Sequence, residues 1–127
     1  MLSVINAFRE GGGGEKPIIL KVQLSYAPDM DQALEGAVDQ WRAPTLDGSV
    51  QTMLRRPEQF DAAVRDIPPS AVARCVRVSN SIQQHVDWLG EDEKLGVDSV
   101  VLHNVNPWQE QFVEVFGRQV LPRFIKR

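Results

Sequence analysis

Two stretches of the chain alternate apolar and polar residues with a period of two, the signature of a half-buried strand. In Ile18 to Tyr26, residues Ile18, Leu20, Val22 and Leu24 fall on one side, and Ile19, Lys21, Gln23 and Ser25 on the other. In Val97 to Asn104, Val100 and Leu102 share one side, and Ser99, Val101 and His103 share the opposite one. Elsewhere the apolar residues recur at helical spacing. Leu2, Val4, Ile5 and Phe8 form a face that ends at the glycines 11–14, since glycine tolerates the left-handed conformation at a helix C-terminus. Ala33, Leu34, Ala37, Val38 and Trp41 form a second stripe behind Pro28-Asp29, with Asp29 and Gln32 at capping-box spacing. Phe60, Ala63 and Val64 mark a short helix between Pro57 and the Pro68-Pro69 break, and a brief helical turn follows through Val72. Ile82, Val86 and Leu89 lie at i, i+4 and i+7 behind Asn80 as cap, and Gly96 stops that helix. Asn106 caps the last helix and puts Pro107 at its first position, with Trp108, Phe112, Val115 and Phe116 as its stripe up to Gly117. Residues 43–56 read as irregular, and Cys75 to Ser79 as extended but too short to assign to a sheet.

The order is therefore helix, strand, helices, strand, helix. Strands separated by helices imply parallel pairing through right-handed crossovers. That α/β pattern fits a doubly wound sheet and a piece of a barrel equally well.

Composition narrows the class. A length of 127 residues suits one domain, and 43% hydrophobic with 24% charged residues is ordinary for a globular protein. The net charge of −3 comes from interspersed charges of both signs, so no basic face for nucleic acid is expected. Arg123, Lys126 and Arg127 read as a solvated basic end. Runs such as Ile18-Ile19-Leu20 and Val100-Val101-Leu102 fall far short of the roughly 20 apolar residues of a membrane span. Met1 to Arg9 reads as an amphipathic helix and not as a secretory signal. A single cysteine, Cys75, excludes an internal disulfide, and together these features favour a cytoplasmic protein.

Candidate chemistry is sparse. The glycine run lacks the preceding strand, following helix and lysine of a phosphate loop, so it reads as a turn. His85 and His103 have no carboxylate or cysteine at metal-ligand spacing, and no metal is expected. His85, beside Val86 and Leu89, reads as a packing or helix-surface residue. His103, at a strand end, is either a hydrogen-bonding group of a pocket or a histidine satisfied locally. Cys75 has no evident base beside it and reads as a buried or inert thiol. Arg77, flanked by Val76 and Val78, can clamp an anionic substrate bidentately or form a surface ion pair. Trp41, Trp88 and Trp108 all fall on helical apolar stripes, where core packing is expected.

Several segments in order resemble one family. Ile19-Leu-Lys-Val-Gln-Leu-Ser-Tyr-Ala-Pro-Asp29 with Gln40-Trp41 is similar to the seventh barrel strand and following helix of the luciferase-like oxidoreductases that use flavin or coenzyme F420. Phe60-Asp-Ala-Ala and Val76-Arg-Val-Ser79 resemble the end of that family's long insertion. His85-Val-Asp-Trp-Leu89, Leu95-Gly96, Val101-Leu-His-Asn-Val105 and Phe116-Gly-Arg-Gln-Val-Leu-Pro122 resemble its last helix, eighth strand and closing helix. The nearest branches are the F420-dependent sugar-phosphate dehydrogenases and related flavin oxidoreductases. The resemblance implies the C-terminal part of a TIM (β/α)₈ barrel: its last two βα units plus the insertion. Residues 1–17 would end the preceding helix and turn, 18–42 form strand and helix, 43–80 the insertion, and 81–127 the helix, last strand and closing helix.

A barrel of this kind needs eight strands and roughly 250 residues or more, so the chain would be incomplete alone. The family transfers hydride at a flavin or deazaflavin ring, and some members are monooxygenases. Its ring-binding and catalytic residues lie on earlier strands, so none is carried over, and tight binding of F420 or FMN is not expected of this chain by itself. What it would supply is the substrate-side wall at the strand C-termini: Gln23, Ser25, Gln51, Arg77 and His103. Where sugar-phosphate dehydrogenases hold the phosphate with a lysine and an arginine, Gln51 and Cys75 stand here, which points away from a sugar phosphate and towards another small organic substrate. The expected partner is the missing N-terminal part of the barrel or a second copy of the chain, with no nucleic acid and no membrane. The competing function is a stand-alone, non-catalytic interaction or self-association protein built on the same barrel wall.

Overall fold

The computed structural model describes residues 1–125; Lys126 and Arg127, part of the expected basic end, lie outside the described residues. The first helix, α1 (Leu2–Phe8), runs into a π-helical turn over Arg9–Gly13. The helical turn runs on through Gly13, further than the glycines predict, and Gly12 and Gly14 take positive φ there (99° and 42°), which glycine enters without a Cβ clash. The Arg9 guanidinium ties this turn by donating to the carbonyls of Gly14 and Lys16.

Strand β1 (Ile19–Tyr26) begins one residue later than the alternation predicts, because Ile18 instead exchanges hydrogen bonds with Asp98. Helix α2 (Met30–Trp41) opens at Asp29, whose side chain accepts from the Asp31 and Gln32 amides. The segment read as irregular contains a 3₁₀ turn (Ala43–Thr45) and helix α3 (Gly48–Met53). The missed signal was Asp47, which accepts from the Ser49 amide as an N-cap. Helices α4 (Pro57–Val64) and α5 (Pro69–Cys75) each start on a proline, whose missing N–H costs nothing at that position. Cys75 is thus helical, not extended.

A third strand, β2 (Arg77–Ser79), follows and is long enough to pair. Helix α6 (Ile82–Glu93) is capped by Ser81, not Asn80: the Ser81 hydroxyl accepts from Gln84 N. Strand β3 (Ser99–Asn104) precedes α7 (Gln109–Gln119), which starts two residues after Pro107 and runs past Gly117. A 3₁₀ turn, Leu121–Arg123, closes the described chain.

The sheet is parallel throughout, in the order β2-β1-β3. β3 pairs along β1 from Ile19↔Ser99 to Leu24↔Asn104, whereas β2 pairs only with Leu24 to Tyr26 on the other edge. Among the described residues, no strand covers the outer edge of β3 or that edge of β1 from Ile19 to Gln23.

Two apolar clusters hold the fold. Leu24 and Tyr26 pack with Leu89, Phe112, Phe116 and Val120, so α6 and α7 cover one face of β1 and β3. Ala37, Val38, Val72, Val76 and Val105 form the other cluster, which joins α2 and α5 near the C-terminal ends of the strands. The opposite face of β1 and β3 is largely bare: Ile19 is 63% and Val101 49% exposed, and Lys21 and Ser99 are exposed beside them. Trp41 and Trp88 are half-buried, but Trp108 stands just before α7 and is 53% exposed, contrary to the core role its spacing suggested.

Candidate functional site at the C-terminal ends of the strands

In parallel register Gln23 sits beside His103, and both belong to the bare face, so the alternation brings these two side chains together at the end of the sheet. Above them, the turns leaving β1 and β3 are joined by a buried polar network. Asn106, 1% exposed, donates from Nδ2 to Ser25 Oγ (3.0 Å) and to the Tyr26 carbonyl (2.8 Å). Its Oδ1 accepts from Asn104 Nδ2 (3.0 Å) and from the Trp108 amide (2.9 Å), so all four of its hydrogen-bonding positions are filled. Ser25 passes its own proton to the Ala33 carbonyl (2.6 Å), and Gln109 Nε2 donates to the carbonyls of Asn104 and Asn106. Ser25 is therefore fully buried as a strut between β1, α2 and the Asn106 turn.

Helix α2 approaches this turn closely because Gly36 faces it. A methyl group on Gly36 would sit 2.5 Å from Asn106 Cβ. The approach places Trp41 edge-on to His103, with ring centroids 4.9 Å apart. Both rings line an open depression of about 140 Å³, together with Gln40, Gln109 and the Asn104–Asn106 turn. His103 Nδ1 is buried without a hydrogen-bond partner among the described residues, so the locally satisfied histidine is not what is found.

The other candidates lie elsewhere or are engaged. Arg77 meets Asp92 of α6 in a bidentate ion pair, Nη1–Oδ2 2.5 Å and Nη2–Oδ1 2.8 Å. It shares a separate cavity, about 230 Å³, with Gln23, Cys75 and Asp92. Cys75 is exposed, not buried. Gln51, on α3, donates its side-chain amide to the Leu46 carbonyl (2.7 Å) within its own segment. The structure thus joins Gln23 to His103 and, on its other side, to Arg77, while Ser25 and Gln51 hold backbone. Sequence reasoning missed Asn104, Asn106 and Gln109; Asn106-Pro107 was visible only as a cap, and it does form the local turn that precedes α7.

His85 is a core residue. It is 1% exposed, its Nε2 lies 3.0 Å from the Ser79 carbonyl, and its ring packs edge-on to Tyr26, Trp88 and Phe116. Burial depresses its pKa below the ordinary 6.5, and the nearby Arg77 charge adds to this, against the opposing pull of the Ser79 carbonyl. A depressed folded-state pKa gives stability that is present above the unfolded value and lost as pH falls through the folded one. Denaturation midpoints are expected to drop between pH 7.5 and 5, and a His85→Phe chain should lose part of that slope; an unchanged slope would refute the assignment.

These observations define a class: parallel α/β architecture with helices on one sheet face, a bare opposite face, and polar side chains gathered where strands end. No family model matches the chain. Its fold is similar to that of an F420-dependent secondary alcohol dehydrogenase solved with an F420-acetone adduct, at a TM-score of 0.74 and 16% identity, over 96% of this chain and 38% of that one. In sequence it is 29% identical over 109 residues to the F420-dependent glucose-6-phosphate dehydrogenase of Microbacterium testaceum, covering 86% of this chain and 32% of that protein. The enzyme of the same name from Segniliparus rotundus is 29% identical over 115 residues, 91% of this chain and 33% of its own length. The chain spans about a third of the length of these curated relatives, in their C-terminal part. These sequence relatives and the structural neighbour are all named as F420-dependent dehydrogenases. No described helix is long and apolar enough to cross a membrane, and no cluster of metal-ligating side chains occurs among the described residues.

Proposed function

We propose that the chain is the C-terminal portion of an F420-dependent oxidoreductase barrel, where it forms the substrate-side wall and works only with the remaining strands. The observation that carries this reading is the β1–β3 pair: parallel, helix-covered on one face, bare on the other, with Gln23 and His103 at its C-terminal end and, among the described residues, no strand on the outer edge of β3 or beside Ile19 to Gln23 of β1. A closed barrel pairs such edges and turns such a face inward. Coenzyme F420 is favoured over FMN by the names of the relatives; when bound it supplies the hydride chemistry. Gln23 and His103 would then contact a small organic substrate, while Arg77 supports the wall through Asp92. The single cysteine suits the cytoplasmic setting.

Mixing the chain with a separately produced N-terminal two-thirds of the Microbacterium relative tests this. F420 fluorescence should titrate saturably with the mixture and not with the chain alone. Saturable, stoichiometric binding by the isolated chain, or no gain over the N-terminal piece, would overturn the reading. The exposed Ile19 and Val101 also favour a second reading, self-association through the same bare wall. It predicts a concentration-dependent oligomer in sedimentation that an Ile19→Lys/Val101→Lys double variant abolishes.

A further inference from the structure

We infer that the free edge of β1 from Ile19 to Gln23 takes an extended segment of another polypeptide carrying a carboxylate beside Lys21, and refuses the same edge of a second copy of this chain. This rests on the proposed function only for the premise that another strand covers the edge; the chemistry that selects the strand belongs to this chain.

The backbone of β1 turns alternate residues to its two neighbours. The carbonyls of Ile18 and Leu24 accept from Asp98 and Val105, on the β3 side. In a parallel ladder a residue turns its N–H and C=O to the same neighbour, and the next residue turns to the opposite one. Ile18, Leu20, Val22 and Leu24 therefore serve β3, and Ile19, Lys21 and Gln23 point away from it. β2 meets this edge only from Leu24 onward, so the N–H and C=O groups of Ile19 and Lys21 have no partner among the described residues. Unpaired amides and carbonyls along an edge are a template for a further strand. β2 also limits the length of that strand, since Arg77 stands at the end of the slot, fixed by Asp92.

The side chains decide which strand fits. The open depression along this edge is lined by Leu20, Lys21, Val22 and Gln23, consecutive residues whose side chains leave the strand on its two faces. On the helix-covered face Leu20 and Val22 are joined by Met1 and Leu95, so an incoming strand meets apolar groups there. On the bare face it meets Lys21, which is exposed and has no ion-pair partner among the described residues. Lysine on an edge strand works against pairing with a copy. A twofold axis makes such a pair antiparallel, and centred on Ile19–Gln23 it sets the two Lys21 side chains opposite one another, where like charges repel. A head-to-tail copy would bring the outer edge of β3, whose bare-face residues Ser99, Val101 and His103 include no carboxylate. An aspartate or glutamate in register with Lys21, flanked in sequence by apolar residues, satisfies both faces.

The test is a ¹⁵N–¹H amide titration of the intact chain, at low salt to limit screening, with two blocked pentapeptides, Thr-Val-Glu-Val-Thr and Thr-Val-Lys-Val-Thr. The glutamate peptide should move the Ile19 and Lys21 amides saturably. The lysine peptide should bind about fivefold more weakly, the difference between an attractive and a repulsive cross-strand pair. In Lys21→Glu, a substitution at an exposed position, the preference should reverse. Equal affinity for the two peptides, a preference that survives Lys21→Glu, or no saturable shift with either would overturn the inference. So would movement of the same amides on dilution of the chain alone, which would mark pairing with a second copy. Neither F420 nor the N-terminal piece takes part, so failure here is distinct from failure of the fluorescence complementation.

Discussion

Replacing Asn106 with alanine should lower the stability of the chain by about 3 kcal/mol, a large fraction of the 5–15 kcal/mol that holds a typical domain together. The side chain makes four hydrogen bonds, three of them buried, to Ser25 Oγ, the Tyr26 carbonyl and Asn104 Nδ2, and one part-buried, to the Trp108 amide. An unmade hydrogen bond of a buried group costs about 1–3 kcal/mol, and the groups of a network are not independent, so the sum falls well below four such terms. In urea, with a slope of about 1–3 kcal/mol per molar, the midpoint should move by at least 1 M. Asn106→Asp separates the two halves of the network. It keeps the acceptors for Asn104 and Trp108 but loses the donor and places a carboxylate against the Tyr26 carbonyl, so it should be no milder than alanine. Gly36→Ala reaches the same residue from α2, since its methyl group must displace Asn106. If Asn106→Ala shifts the midpoint by less than about 0.3 M, the network does not hold the mouth together.

The contrast between what was and was not visible in the chain follows from the range of the forces. Both long strands were legible because one face of each is buried and the period of two records it directly. The stripes on α2 and α6 were legible for the same reason, as was the Asp29 cap, whose partners lie within three residues. The strand Arg77–Ser79 was not assignable, since three residues carry too little periodicity and its pairing is decided by Leu24 to Tyr26, some fifty positions away. Of the site, His103 and Gln23 were placed on one face by alternation alone. Arg77 reads from the sequence either as a bidentate clamp for an anion or as half of an ion pair; the structure shows an ion pair, whose partner Asp92 belongs to another helix. The Asn106 network was out of reach, because Ser25 and Asn106 are separated by 81 residues and meet only once β1 and β3 pair. Trp108 misled for a similar reason: the Asn106 turn delays the helix and leaves that ring outside the stripe.

The Arg77–Asp92 pair should respond asymmetrically to loss of its two members. The Asp92 side chain is only 5% exposed, whereas that of Arg77 is 32% exposed. Arg77→Met leaves a buried carboxylate without its cation, and breaking a buried pair in this direction costs about 3–5 kcal/mol. Asp92→Asn leaves an arginine that can turn part of its guanidinium to water while the amide still accepts one of its hydrogen bonds, so it should cost less, about 1–2 kcal/mol. The double variant Arg77→Met/Asp92→Asn should regain part of the stability lost in Arg77→Met, because it removes the stranded charge. The coupling also reaches the mouth, since Arg77 pairs with Leu24 in register, one residue beyond Gln23. Loosening β2 should therefore broaden the Gln23 resonances, while Asn104 and Asn106, held from the other strand, stay sharp. Urea unfolding of the three variants tests the energetic order, and an Asp92→Asn chain less stable than Arg77→Met would show that the arginine, and not the carboxylate, is the group the fold cannot leave unpaired.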